Sequence, residues 1–412
     1  VDPQARAASP GSATRRFLTG AGAVTLGSLV ANIAAYLLHL PASRWLGPEG
    51  YGAFAALLSA QLLVAVPSLA LQAVVARELV RGVPHEALRS LGARVALLVA
   101  LIAALTVVPV AHLLDTPVLA TAAALSPGPV LCLLAAEQGL LQGAERFRAL
   151  AAVLALAGAG KVIPAVAVLA AGGGVGAALA AGAVGVAGAW LVARLVAAGV
   201  GRSTTTRGSR NRAGGAVVSS PGVTAVLAAG QVQLVMMALT SVDLLLARAL
   251  LSPEDAGRYA LGAVAAKAAF WLPQAVGTVL YPRMADPAGH RGAVRSAVGV
   301  LLGIGAVVVL AAAVAAPLVP TVVGEGYRPV TGVLWAFASL GVTLSVLQAF
   351  LLSTIATNRT VEAGIAWVGL LLAAAAVWAV PRELSSVLGA TLVVVVLTTL
   401  AAGWRALRVR PA

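Results

Sequence analysis

Twelve apolar runs of roughly 20 residues, set between short arginine-bearing loops, leave this 412-residue chain few folds to choose from. In lipid a backbone must satisfy its own hydrogen bonds, so a run of that length crosses the membrane as a helix. These runs lack the polar faces that a soluble-core helix would show. The composition agrees: 60% of residues are hydrophobic and 10% charged, against about 25% charged in soluble domains. The spans fall near 17–40, 50–74, 89–111, 117–140, 148–171 and 174–198, then 221–250, 257–281, 295–319, 329–356, 361–380 and 385–404. Residues 1–14 read as a disordered cytoplasmic tail. The polar, basic stretch from Gly201 to Arg212 marks a cytoplasmic linker over 199–219. It separates an N-terminal six-helix lobe (15–198) from a C-terminal one (220–412).

The net charge of +14 comes almost wholly from arginine, since only Lys161 and Lys267 among the 28 cations are lysine. Nucleic acid is not the implied partner, because the arginines sit in short loops between spans. With both termini cytoplasmic, inside segments hold clusters such as Arg77, Arg81, Arg89, Arg94, Arg146, Arg148 and Arg194. Outside segments hold only Arg44, Arg248, Arg258, Arg328 and Arg382. That asymmetry is the positive-inside pattern. Arg15 and Arg16 precede an apolar run of about 23 residues, longer than the core of a secretory signal.

The chain also repeats itself. Leu46-Gly47-Pro48-Glu49-Gly50-Tyr51-Gly52-Ala53-Phe54 returns as Leu251-Ser252-Pro253-Glu254-Asp255-Ala256-Gly257-Arg258-Tyr259. Gln61, Pro67 and Arg77 are answered by Lys267, Pro273 and Arg283 one register further on. A period near half the chain indicates a duplicated unit, not a solenoid. Even span counts start both repeats from one side of the membrane. The lobes are then related by an axis along the membrane normal, with a cavity between them. The expected fold class is an all-α polytopic membrane protein of about 12 transmembrane helices in two pseudo-symmetric six-helix bundles. Each Pro-Glu block should open the second helix of its bundle.

Charge inside the hydrocarbon is costly and faces a cavity or a partner. Four such residues occur: Lys161, Lys267, Glu137 and Asp243. The lysines suit an anionic phosphate group, as compact cations with three donors; a structural Lys–acid pair is the alternative. Asp243, on the preceding helix, is the expected resting partner of Lys267. Asp243 and Glu137 are the candidates for ion coupling. Span one carries Thr25, Ser28, Asn32, Tyr36 and His39 at steps of 3, 4, 4 and 3, hence on one face. Span seven carries Gln233, Thr240 and Asp243 at roughly equivalent positions. These two stripes, with Gln61, are read as facing walls of the cavity, and His39 as an interfacial residue. Pro67 and Pro273 mark matched kinks or hinges.

No metal or cofactor is implied. Cys132 is the single cysteine, and neither Cys-x-x-Cys nor His-Glu-x-x-His occurs. Gly158-Ala159-Gly160-Lys161 is no phosphate loop, since Ala155 and Val162 replace the residues that loop needs.

Arg44 to Gly52, Asp243 to Tyr259, Tyr281-Pro282 and Leu141-Gln142-Gly143 together resemble the Wzx-type polysaccharide-exporter flippases. Their superfamily includes the lipid II flippases and the multidrug and toxin extruders. The resemblance implies flipping of an undecaprenyl-pyrophosphate-linked oligosaccharide to the outer leaflet by alternating access, coupled to an ion gradient. It implies the cytoplasmic membrane as location, with membrane lipids and polysaccharide-assembly proteins as partners. A multidrug or cation antiporter is the alternative within the superfamily. A glycosyl polymerase or ligase would need a long external catalytic loop, and none is visible.

Overall fold

The computed structural model describes residues 36–208, 222–271, 290–356 and 364–408. Span one before Tyr36, with Thr25, Ser28 and Asn32, lies outside these residues, as do Pro273, Tyr281-Pro282 and the linker beyond Gly208. The described chain is all helix, without a strand. Helix α1 (His39–Val80) joins the end of span one to span two. It is interrupted only at Gly47, whose φ of 65° is left-handed and favours glycine. Then come α2 (His85–Leu113), α3 (Val118–Leu125), α4 (Pro127–Gly143), α5 (Phe147–Ala170) and α6 (Val175–Gly208). The second half holds α7 (Val223–Leu239), α8 (Val242–Leu250), α9 (Pro253–Trp271), α10 (His290–Ala315), α11 (Val319–Val323), α12 (Leu334–Ala356), α13 (Gly364–Ala379) and α14 (Leu384–Arg408).

Among the described residues, eight helical segments are long and apolar enough to cross a membrane, nine if α7 and α8, bent by 43°, form one span. Three of the twelve expected spans are not among these nine. Span one is described only from Tyr36, span eight only to Trp271, and α13 has 16 residues. Helical backbone also continues to Gly208, into the stretch read as linker.

The duplication shows in the packing. In the first lobe α1 packs on α4, α2 on α4, α4 on α6 and α5 on α6. The second lobe repeats this with α9 on α12, α10 on α12, α12 on α14 and α13 on α14. Helices in lipid gain little from apolar burial against one another, so close backbone approach matters more. Gly139 and Gly143 lie against the Gln72 and Ala76 carbonyls of α1, and Gly341 against Ala266 of α9. Gly160 and Gly185 bring α5 and α6 together in the same way.

The two Pro-Glu blocks meet at one end of the lobe interface. Pro48 follows the Gly47 break, and Pro253 is the first residue of α9. Phe54 and Tyr259, equivalent in the repeat, are both fully buried. Around them the lobes are stitched together. The Arg248 guanidinium donates to the Leu114 and Asp115 carbonyls at 2.9 and 3.0 Å. The Tyr327 hydroxyl donates to the Ser43 carbonyl at 3.1 Å. Arg44 reaches the Val322 carbonyl, while Arg258 binds that of Gly326 within its own lobe. Each of these arginines binds a loop that the charge pattern assigns to its own face.

Candidate functional site

Below the joined blocks, α1 and α9 face each other along matched stripes. Ala55, Leu58, Ser59 and Leu62 recur at steps of 3, 1 and 3, and Val264, Lys267 and Trp271 at steps of 3 and 4. Both spacings hold to one helical face. Together with Tyr36 and His39 they enclose a cavity of about 160 Å³ between the lobes.

Lys267 stands at the centre. Its Nζ donates to Ser59 Oγ across the lobe interface at 2.7 Å. On its other side a void of about 10 Å³ is bounded by Thr240, Asp243, Ala266, Phe270 and Leu340. Asp243, only 3% exposed, accepts a hydrogen bond from the Tyr259 hydroxyl at 2.9 Å. The expected contact between Lys267 and Asp243 is therefore corrected. Their charges act on each other, but no ion pair joins them among the described residues. The tyrosine takes the carboxylate and the serine takes the ammonium. Lys267 has four flexible methylenes and one neutral partner, so its charge is available to a ligand.

The other sequence candidates divide. Tyr36 lines the cavity, and Thr240 lines the void while donating to the Met237 carbonyl at 2.9 Å. His39 is a cavity residue rather than an interfacial one. Its Nδ1 lies 2.9 Å from the Tyr51 hydroxyl, and the charges of Lys161 and Lys267 both act on it. Lys161 is half-buried on α5, lines neither space and has no partner among the described residues. Gln233 is half-buried on α7 and lines neither. Gln61 is displaced from the expected wall: it is 3% exposed, its Oε1 has no partner, and it lines neither space. The reason is register. Gln61 is one residue short of Leu62 on the cavity-lining stripe, so its side chain lies about 100° around the helix from that face.

Glu137 occupies a different environment from the cavity. The Arg89 guanidinium pairs with it through two bonds of 3.0 Å, and Arg194 adds a third of 2.8 Å. This ties α2, α4 and α6 together within the first lobe. Pro67 sits in helical backbone within α1, where Gly47 is the sole non-helical residue. Sequence reasoning missed Ser59 and Trp271. The signal was present in their helical spacing from Leu62 and Lys267, but small and aromatic residues in an apolar run announce no chemistry.

Among the described residues no cluster of His, Cys, Asp or Glu is arranged to hold a metal ion. No protein-family model matches the sequence, and no curated protein matches it. Solved structures do. The lipid II flippase MurJ in an inward closed conformation superposes with a TM-score of 0.68 at 10% identity, over 94% of this chain and 87% of that one. An inward-facing multidrug resistance MATE transporter of the MOP superfamily gives 0.65 at 13% identity, over 92% and 93%. The Vibrio cholerae MATE transporter VcmN in its bent form gives 0.56 at 17% identity, over 97% and 98%. The chain has the fold shared by these transporters and flippases.

Proposed function

We propose that this protein is a flippase that carries an undecaprenyl-pyrophosphate-linked oligosaccharide, or a related cell-surface precursor, across the cytoplasmic membrane by alternating access. The observation that carries the reading is Lys267: a cation at the lobe interface, facing a cavity, held by a serine and by no carboxylate. A half-buried ammonium whose hydrogen bond goes to a neutral hydroxyl, with Asp243 near but not paired to it, still bears a desolvation cost, and an anionic head group entering the cavity offsets that cost. Lys161, whose charge acts on the same His39, adds to the positive field. An organic cation would be repelled from this cavity, which disfavours the extruder reading. Asp243, held by Tyr259 beside the void, is the candidate for ion coupling. Both termini and the 199–219 linker are cytoplasmic in this reading, and polysaccharide-assembly proteins are the partners that the product would meet.

Reconstituted vesicles separate the two transporter classes. Inward or outward movement of a fluorescent undecaprenyl-pyrophosphoryl saccharide, read by quenching with an impermeant reductant, is expected with the protein and absent without it. Transport of ethidium but not of the lipid would overturn the flippase reading in favour of the antiporter.

A further inference from the structure

Trp271 lies one helical turn beyond Lys267 on the cavity-facing stripe of α9, about 6 Å along the axis. We infer that Trp271 is the platform for the first sugar of the cargo, so that the site selects a glycosylated pyrophosphate over the bare lipid. This rests on the flippase reading and adds a specificity residue to it.

Three observations carry it. The first is exposure: Tyr259 and Phe270 on the same helix are 0% and 1% exposed, whereas Trp271 keeps 37% of its surface open. Among the described tryptophans it is the one that lines this cavity. The second is orientation. The Phe270 ring meets it edge-on, with centroids 5.3 Å apart at 77°, a contact that favours this setting of the indole. Such aromatic pairs add stabilisation beyond area burial. The third is chemistry. The axial step from Lys267 to Trp271 matches the step from a phosphate to the sugar it esterifies. An indole offers an apolar face to the C–H face of a sugar ring and an N–H to its hydroxyls. Tyr36 supplies a further hydroxyl from span one.

Two other uses of a membrane tryptophan fit less well. An interfacial anchor belongs at the end of a span, and Trp271 is 14 residues into one expected to run from Gly257 to Tyr281. A cage for an organic cation is excluded electrostatically by Lys267 on the same stripe.

The test uses purified full-length protein in nanodiscs and two probes, undecaprenyl pyrophosphate and undecaprenyl-pyrophosphoryl-N-acetylglucosamine. Wild type is expected to bind the glycosylated probe about tenfold more tightly. Trp271→Leu should erase that preference while leaving the affinity for the bare lipid within about twofold, and Trp271→Tyr should retain most of it. Lys267→Ala should weaken both probes. If wild type binds both in a Lys267-dependent manner without preference, or if Trp271→Leu weakens both alike, the platform is overturned and the flippase reading stands. If wild type binds neither probe, both fall together.

Discussion

Gly52 and Gly257, equivalent positions of the two repeats, touch backbone to backbone: a Cβ on Gly52 would lie 2.8 Å from the Gly257 nitrogen. A Cβ on Gly257 would collide with the Pro48 carbonyl. The duplicated motif is thus its own partner across the lobe interface. The lobes approach this closely because both copies lack a side chain at the same point. The proposed alternating-access cycle would require this contact to part and reform.

A side chain here should hold the two halves apart. Overpacking of a tight contact costs about 1–3 kcal/mol, enough to move a closed–open equilibrium by roughly 5- to 150-fold. Gly257→Val should lengthen the distance between spin labels at Glu49→Cys and Glu254→Cys and cut transport by at least about tenfold. Gly303→Ala, where a Cβ meets nothing within 4 Å, is the matched control. An unchanged label distance in Gly257→Val would show that this end is not a moving contact.

Arg248 makes a second bond across the same end, from α8 to the carbonyls that finish α2. Carbonyls at a helix C-terminus carry partial negative charge, and hydrogen bonds from a cation are worth about 1.5–3 kcal/mol. Arg248→Ala should favour the open arrangement, read as faster maleimide labelling of Thr116→Cys. Arg248→Lys should recover only part of the effect, since a point cation lacks the planar fork that spans two carbonyls. Labelling at the wild-type rate in Arg248→Ala would remove the latch from the account.

Glu137 tests the boundary between scaffold and coupling. It is 3% exposed, paired with Arg89 at 25% and Arg194 at 48%. Removing one partner of a buried pair costs on the order of 3 kcal/mol, with the more exposed arm contributing less. Glu137→Ala should lower the melting temperature of the first lobe while the ion dependence of transport stays as in wild type. A changed ion dependence at normal stability would return Glu137 to the coupling machinery.

The fold was legible in the sequence because lipid enforces it. Apolar runs fix the helices, and the Pro-Glu repeat pairs the lobes. The charge pattern sorts the loops into two faces that the contacts of Arg44, Arg248 and Arg258 respect. The site was legible only in part. Lys267, Asp243, Thr240 and Tyr36, which line the cavity or the void, could be singled out because polar groups in hydrocarbon announce themselves. Gln61 was misplaced because the single-residue step from it to the cavity-lining Leu62 turns a side chain by about 100° around a helix. The Glu137 cluster could not be foreseen, since Arg89 and Arg194 lie 48 and 57 residues away and meet it only after α2, α4 and α6 pack.

The sidedness of the two faces is open to a direct measurement. In a Cys132→Ser background, Gly208→Cys is expected to resist an impermeant maleimide in intact cells and to react after lysis. Glu254→Cys, in the opposite set of loops, should react in intact cells. The reverse pattern would invert the orientation drawn from the arginines and, with it, the direction of transport.

Lys267 carries the sharpest prediction, because its neighbours assign opposite outcomes to two roles. If the ammonium serves the cargo, Lys267→Ala should abolish flipping at normal protein levels, and Lys267→Arg should keep part of it, since charge and donors persist. Ser59→Ala should have a small effect, as it removes one neutral acceptor from a side chain that then turns to the ligand. If Lys267 instead balances Asp243 through the 10 Å³ void, the damage in Lys267→Ala comes from an uncompensated carboxylate. Removing that carboxylate as well should then restore flipping. The double variant Lys267→Ala/Asp243→Ala decides between them. It is expected to stay inactive, because Asp243 is already held by Tyr259 at 2.9 Å and does not depend on the lysine for its hydrogen bond. Recovery of flipping in the double variant would assign Lys267 to the scaffold and leave the phosphate without its cation.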